Sequence, residues 1–322
     1  MRIWFILFCS LLLQVSACTP RPVNQSDGSA SGLVRSAFVT EAEILSILSY
    51  LTHDSLNGRS AGTIENRQVT QYLADYFSSI GLKPLLDEHF INTFYTNDND
   101  TGYSISNVIG YLRGSSKPDE YILVSAHFDH VVSGFYNQVD KIYNGANDNA
   151  SGTTAMMMLA KHYALTETNK RSIIFCAFNG EESGLLGSQD LAQKLPAGKI
   201  VAGINLEMLG VPQYGKRSLM VTGMKKSNLA GIMRSNLKGT GIRLLNEKGD
   251  LFERSDNYPF ASKGVPAHSI MASDDRDRCY HQGCDELKRI DIRNMADLTN
   301  AIIVAISTIV EGTDTPGRIV LK

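Results

Sequence analysis

The chain has 322 residues, room for one large domain or two small ones, and its 43% apolar and 20% charged content excludes a disordered polymer. Its 31 Lys and Arg against 33 Asp and Glu leave a net charge of −2. No basic run interrupts the sequence, so a nucleic-acid partner is not expected.

Met1-Arg2 precedes an apolar run from Ile3 to Leu13 that is too short to span a bilayer as a helix. Val15-Ser16-Ala17-Cys18 follows, small residues and then a cysteine. That pattern resembles the cleavage box of bacterial lipoproteins, in which the cysteine becomes the lipidated first residue. An ordinary secretory signal cut after Ala17 is the alternative. Residues 1–17 are therefore expected to be a signal peptide. Residues 18–37, rich in Ser, Gly, Pro and Asn, read as lipid anchor and flexible tether, and 38–322 as a single domain. The expected address is extracytoplasmic, on the periplasmic side or cell surface, with the outer membrane favoured by Thr19 and membrane contact through the lipid alone.

Thr40 and Asn66 read as N-caps of helices over 40–55 and 66–81, with Gly81 as the stop. Strand-like runs follow at 106–114, 121–127, 172–178, 199–209, 218–223 and 264–272, with a less certain one in FINTFY between 82 and 105. Helical patterns alternate with them at 151–166, 183–195, 226–238 and 293–311. Alternation of this kind predicts an α/β fold, a three-layer αβα sandwich around a mixed, mostly parallel twisted sheet. Met156, Met157 and Met158 read as core packing, and Cys176 as a small buried thiol. Cys279 and Cys284 flank Tyr280-His281, and in an oxidising compartment they suit a loop disulfide. A Cys/His metal site is the alternative, although two sulfurs are too few for one.

The densest chemistry lies between Tyr121 and Glu182, where a His-x-Asp, an Asp in a Gly/Asn-rich loop and a Glu-Glu pair each follow an apolar run or open a helical pattern. Those are the strand ends at which α/β sheets keep their ligands. His and carboxylate donors converging from separate elements suit zinc, and paired Glu suits one ligand plus one general base. The pattern reads as a zinc hydrolase.

The blocks LNGRSAGT (56–63), NVIGYLRG (107–114), SAHFDH (125–130), NGANDNASG (144–152), FNGEESGLLGS (178–188), INLEMLG (204–210), SDNYPF (255–260) and YHQGCDELKRID (280–291) occur in one order. Together they resemble the co-catalytic di-zinc exopeptidases, a family that also includes glutaminyl cyclases and glutamate carboxypeptidases. The resemblance implies the zinc-exopeptidase fold and two zinc ions per chain. It places His127 and Glu207 on the first metal, Glu182 and His281 on the second, and Asp148 bridging them. It makes Glu181 the general base for a metal-bridged hydroxide, and Tyr280 the donor to the tetrahedral oxyanion. Asp129, two residues past His127, is a candidate acceptor that fixes the imidazole tautomer. The implied substrate is a peptide or small amide, cut at its free N-terminus.

Two positions depart from the family pattern. Glu207 stands where Asp is usual, which puts the first site's shape in doubt, and Asn257 stands where many members carry His. Ser255 or Asp256 reads as a helix N-cap there, with no metal role. His268 is a rival for the last ligand but lies in an apolar run, and His53, His89, His130 and His162 match no ligand block, so a structural or surface role is expected of each. A one-zinc glutaminyl cyclase-like acyltransferase and a non-catalytic binding protein with a decayed site are the competing functions. No Arg compels carboxylate recognition.

Overall fold

The computed structural model describes residues 39–96, 102–131 and 140–321. The expected signal peptide, Cys18 and the tether lie outside these residues. Among the described residues no helix is long and apolar enough to cross a membrane.

The chain opens with helix α1 (Glu41–Leu51), closed at its start by a reciprocal capping box between Thr40 and Glu43. Helix α2 (Ile64–Ser79) begins earlier than expected. Thr63, not Asn66, is its N-cap, because the Thr63 hydroxyl accepts from the Asn66 amide at 3.1 Å. Asn66 is freed to donate to Arg59 O and Asn179 Oδ1. Past the helix Gly81 takes φ +84°, the left-handed stop its sequence position predicted.

Eight strands form one mixed sheet in the order β1-β2-β4-β3-β5-β8-β6-β7. They are β1 (Ile91–Tyr95), β2 (Ser104–Leu112), β3 (Lys117–His127), β4 (Arg171–Phe178), β5 (Ile200–Glu207), β6 (Ser218–Val221), β7 (Arg243–Asn246) and β8 (Ala267–Met271). The central strands β4, β3, β5 and β8 are mutually parallel. Antiparallel pairs occur toward the edges, β1 with β2, β2 with β4 and β6 with β8.

The period of two is visible in which core each side chain joins. Ile122, Val124, Ile173 and Phe175 face the larger core, against α1, α2, α3 (Gly152–Thr166), α5 (Leu229–Asn236) and α7 (Ile292–Val310). Leu123, Ile174, Cys176 and Phe178 face the other side, covered by α4 (Leu186–Lys194) and the short α6 (Tyr258–Ala261). Helices on both faces of the sheet make the three-layer αβα sandwich. The methionine triplet is buried in α3, within the larger core.

Because the four central strands run the same way, their carboxyl ends share one edge. His127 ends β3, Glu207 ends β5, and the Glu181-Glu182 turn follows β4. That is where an open α/β sheet presents a crevice.

Candidate metal centre

His127 Nε2 lies 3.0 Å from Glu207 Oε1, 3.5 Å from Asp148 Oδ1 and 3.9 Å from Glu181 Oε2. His281 Nε2 lies 3.2 Å from Asp148 Oδ2 and 3.0 Å from Glu182 Oε2. The two oxygens of Asp148 thus face two separate donor sets, the arrangement a bridging carboxylate needs. Two groups of side chains could each hold a cation: His127, Glu181 and Glu207 in one, and His130, Asp148, Glu182 and His281 in the other. His281 adopts φ +53°, a left-handed backbone that a non-glycine residue keeps only where surrounding contacts hold it.

The Asn-rich loop that carries Asp148 is stitched to the strand ends by its own side chains. Asn147 Oδ1 accepts from the amides of Gly210 and Val211, while Asn149 Oδ1 accepts from Gly152 and Met208. Asn149 also donates to Leu206 O, and Ser151 Oγ accepts from the Leu209 amide. The Asp285 carboxylate receives the amides of Asn147 and Asp148 at 2.9–3.1 Å. Each of these polar residues is buried with its partners supplied, so this part of the loop is held rigid rather than solvated.

Glu207 is accommodated in the same way. Asn205 and Ser255 both donate to its Oε2, leaving Oε1 toward His127. Ser255 is therefore no helix cap. Asp256 does not cap either: it is buried, and burial raises its carboxyl to about 7. The N-cap position of α6 falls to Asn257, which is tied to Phe252 O and Ser269.

Two further expectations change, those for Asp129 and His130, while His268 stays outside the site as its apolar run implied. The Asp129 carboxylate is not the acceptor for His127, because Nδ1 meets the Asp129 backbone oxygen at 3.2 Å and the carboxylate at 3.8 Å. That carboxylate instead accepts the amides of Glu181 and Glu182, fixing the turn that carries them. His268 is a satisfied core histidine, bonded to Thr222 O and Ser227. His130, expected to be structural or at the surface, is buried within the second donor set, its Nδ1 3.1 Å from Glu182 Oε1.

Arg59 went unassigned in the sequence, and it lies fully buried behind the site. Its guanidinium donates to the carbonyls of Leu51, Phe128, Asn144 and Gly145. Burial lowers its pKa to about 10, opposed by Asp285, Asp148, Asp129 and Glu182. It therefore braces the segment between His127 and His130 and the loop that leads to Asp148, and adds positive charge behind the carboxylates. Its partners Phe128, Asn144 and Gly145 are 69–86 residues away in the chain, so no local pattern points to them. Cys279 and Cys284 are disulfide-bonded around Tyr280 and His281, and Tyr280 stacks on His281 with ring centroids 3.8 Å apart.

The electrostatics call for positive charge. Burial works against ionisation of Asp148, but the imidazoles of His127 and His281 hold its carboxyl well below the usual range. Burial likewise works against charge on His281, yet Asp148 and Glu182 carry it up to about 10. Asp148 Oδ2 and His281 Nε2 approach within 3.2 Å. Once the imidazole gives up its proton, these two atoms offer lone pairs to a cation between them.

Glu181 differs from its neighbour. Burial raises its carboxyl well above the usual range; His127 opposes this, and Glu182 and Glu207 add to it. It opens with Glu207 and Tyr280 on a small cleft whose other wall is Met208, Leu251 and Met271. Arg254 also lines this cleft, paired with Asp275 at 2.7 Å.

The sequence profile of Peptidase family M28 matches residues 107–306. Leupeptin-inactivating enzyme 1 of Streptomyces exfoliatus is 26% identical over 296 residues, covering 84% of this chain and 62% of its own length, so this chain spans less than two thirds of that relative. Among solved structures, BSAP, a zinc aminopeptidase from Bacillus subtilis, superposes with a TM-score of 0.70 at 16% identity, over 86% of this chain and 97% of that one. Porphyromonas gingivalis glutaminyl cyclase gives 0.69 at 17% identity, over 85% and 99%. At such identities the two structures establish the fold.

Proposed function

We propose a function from one premise: the chain belongs to peptidase family M28. It is a zinc-dependent exopeptidase, most simply an aminopeptidase that hydrolyses the first peptide bond of a substrate with a free N-terminus. The observation that carries this reading is Asp148, whose two oxygens face two donor sets, the first of which lines the cleft. His127 and Glu207 would hold the first zinc, Glu182 and His281 the second, and Asp148 would serve both. When bound, such ions polarise the scissile carbonyl and lower the pKa of the attacking water.

The chain's own groups do the rest. Glu181, lifted in pKa and facing the cleft, takes a proton from the attacking water and delivers it to the departing amine. Burial and the surrounding carboxylates keep the Tyr280 hydroxyl protonated, so it can donate to the carbonyl oxygen as that oxygen gains charge. The α-ammonium group fits the acidic wall of Glu181 and Glu207, and Met208, Leu251 and Met271 offer the first side chain an apolar surface. Residues 1–17 act as the signal, Cys18 carries the lipid, and 38–322 form the single catalytic domain on the outer side of the membrane.

Zinc content and release of aminoacyl chromophores, measured on one preparation of the full chain, test this reading. Two zinc ions per chain are expected, with turnover abolished by chelation and restored by zinc. Glu181→Gln should keep both ions and lose about 10²- to 10⁴-fold in turnover. One zinc ion, with cyclisation of N-terminal glutamine in place of hydrolysis, would move the assignment to acyl transfer.

A further inference from the structure

Four donors converge on the Glu182 side of Asp148, one more than the resemblance supplies. His130 Nδ1 lies 3.1 Å from Glu182 Oε1 and 3.8 Å from Asp148 Oδ2. His281 Nε2 lies 3.0 Å from Glu182 Oε2 and 3.2 Å from Asp148 Oδ2. We propose that His130 is a ligand of the second cation, which is then held by His130, Asp148, Glu182 and His281. The inference rests on the metal reading above and adds one residue to it.

Zinc bonded to nitrogen and oxygen at about 2.0–2.1 Å in a tetrahedron has ligand atoms about 3.3 Å apart. The four His–carboxylate separations, 3.0–3.8 Å and reaching both oxygens of Glu182, are of that order. An imidazole that merely oriented Glu182 would sit behind the carboxylate, away from the other donors. Instead one donor atom from each of the four residues lies within 4.8 Å of every other.

The ring's seat is also built. Gly145 has φ +53°, and a Cβ there would stand 2.6 Å from His130 Cγ and Cδ2, so only glycine leaves room for the ring. On another side His281 packs edge-on at 5.6 Å. Arg59 fixes the Gly145 carbonyl at 2.7 Å and the Phe128 carbonyl, two residues before His130, at 2.6 Å.

The consequence is an asymmetric pair. Four protein ligands close the second site, as in structural zinc sites, whereas His127, Glu207 and Asp148 leave the first a position open to the cleft. The second ion should be the last to leave on chelation.

The test is nuclear magnetic resonance of the full chain, with imidazole nitrogens isotope-labelled and zinc replaced by a spin-active cadmium isotope. The expected result is cadmium–nitrogen coupling at His127, His130 and His281, with His130 and His281 coupled to the same ion. His130→Gln should remove one coupling and loosen only the ion that His281 shares. Two bound ions with coupling at His127 and His281 alone would overturn the assignment, leaving His130 a hydrogen-bond donor to Glu182. Failure to bind cadmium at all would overturn the metal reading itself, so the two failures are distinguishable. The number of coupled histidines in the unmodified chain decides the matter even where the variant does not fold.

Discussion

Glu207 ends β5 one methylene further from its backbone than the Asp usual in related enzymes, and its neighbours take up that length. Asn205 and Ser255 hold one oxygen while the other reaches 3.0 Å from His127 Nε2. Glu207→Asp would retract the carboxylate by one C–C bond, about 1.5 Å. It could then keep its grip on Asn205 and Ser255 or its reach toward His127, not both. Restoring the more common residue is therefore expected to weaken the first cation by about 10- to 100-fold, the cost of disturbing a ligand's supporting contacts, and to leave the second unchanged. Competition titration with a chelator measures both constants. Equal or tighter binding by the Asp variant would show that this site does not depend on the longer side chain. The departure was visible in the sequence, but its compensation was not, because Ser255 stands 48 residues away and reads locally as a helix cap. Arg59 and His130 were obscure for the same reason. Their roles depend on what the fold brings to them, whereas His127, Asp148 and Glu182 sit in short blocks whose local order already suggests a metal.

At the scale of elements, the alternation of β3 and β4 between two cores could be read from YILVSAH and SIIFCAF, since a buried strand needs apolar residues on both faces. Strand β7 could not. Its four residues, RLLN, lie at the sheet edge, none of them fully buried, and carry too short a pattern to stand out from a loop. The Asn-rich loop before α3 is an element in its own right, because its hydrogen bonds join β5 to the helix. Asn149→Leu keeps the branched shape with somewhat greater bulk and deletes three of them; Gly152 keeps the Asn149 backbone carbonyl as a partner, but the amide of Met208 and the carbonyl of Leu206 lose the side chain that paired them in the interior. At about 1–3 kcal/mol for each of these two groups, the variant should lose at least about 2 kcal/mol of stability. Urea denaturation should show this as a lower midpoint with the same slope. A loss below about 1 kcal/mol would mean that the loop relaxes to bring water to those groups.

Across the whole molecule, the donors come from the end of β3, the loop before α3, the turn after β4, the end of β5 and the loop around His281. None of these segments holds the site alone, and Asp148, Glu182 and Glu207 stand together in low dielectric with Glu181 beside them. Without cations their mutual repulsion is offset by His127, His130, His281 and Arg59. Zinc at a thousand times its dissociation constant stabilises a folded chain by about 4 kcal/mol per site, provided it does not bind the unfolded state. For a domain of this size, about 2–4 °C per kcal/mol puts the melting point of the chelated protein about 8 °C or more below that of the loaded one. The loss should be local before it is global. Hydrogen exchange is expected to speed up at the carboxyl ends of β3, β4 and β5 and in the loop of Asp148, while the amino ends of the same strands, packed between the helical layers, keep their protection. Uniform deprotection along the strands would mean that the cations hold the entire sandwich together. No change at either end would mean that the four buried carboxylates are balanced by the protein's own charges, and the metal reading would lose its electrostatic basis.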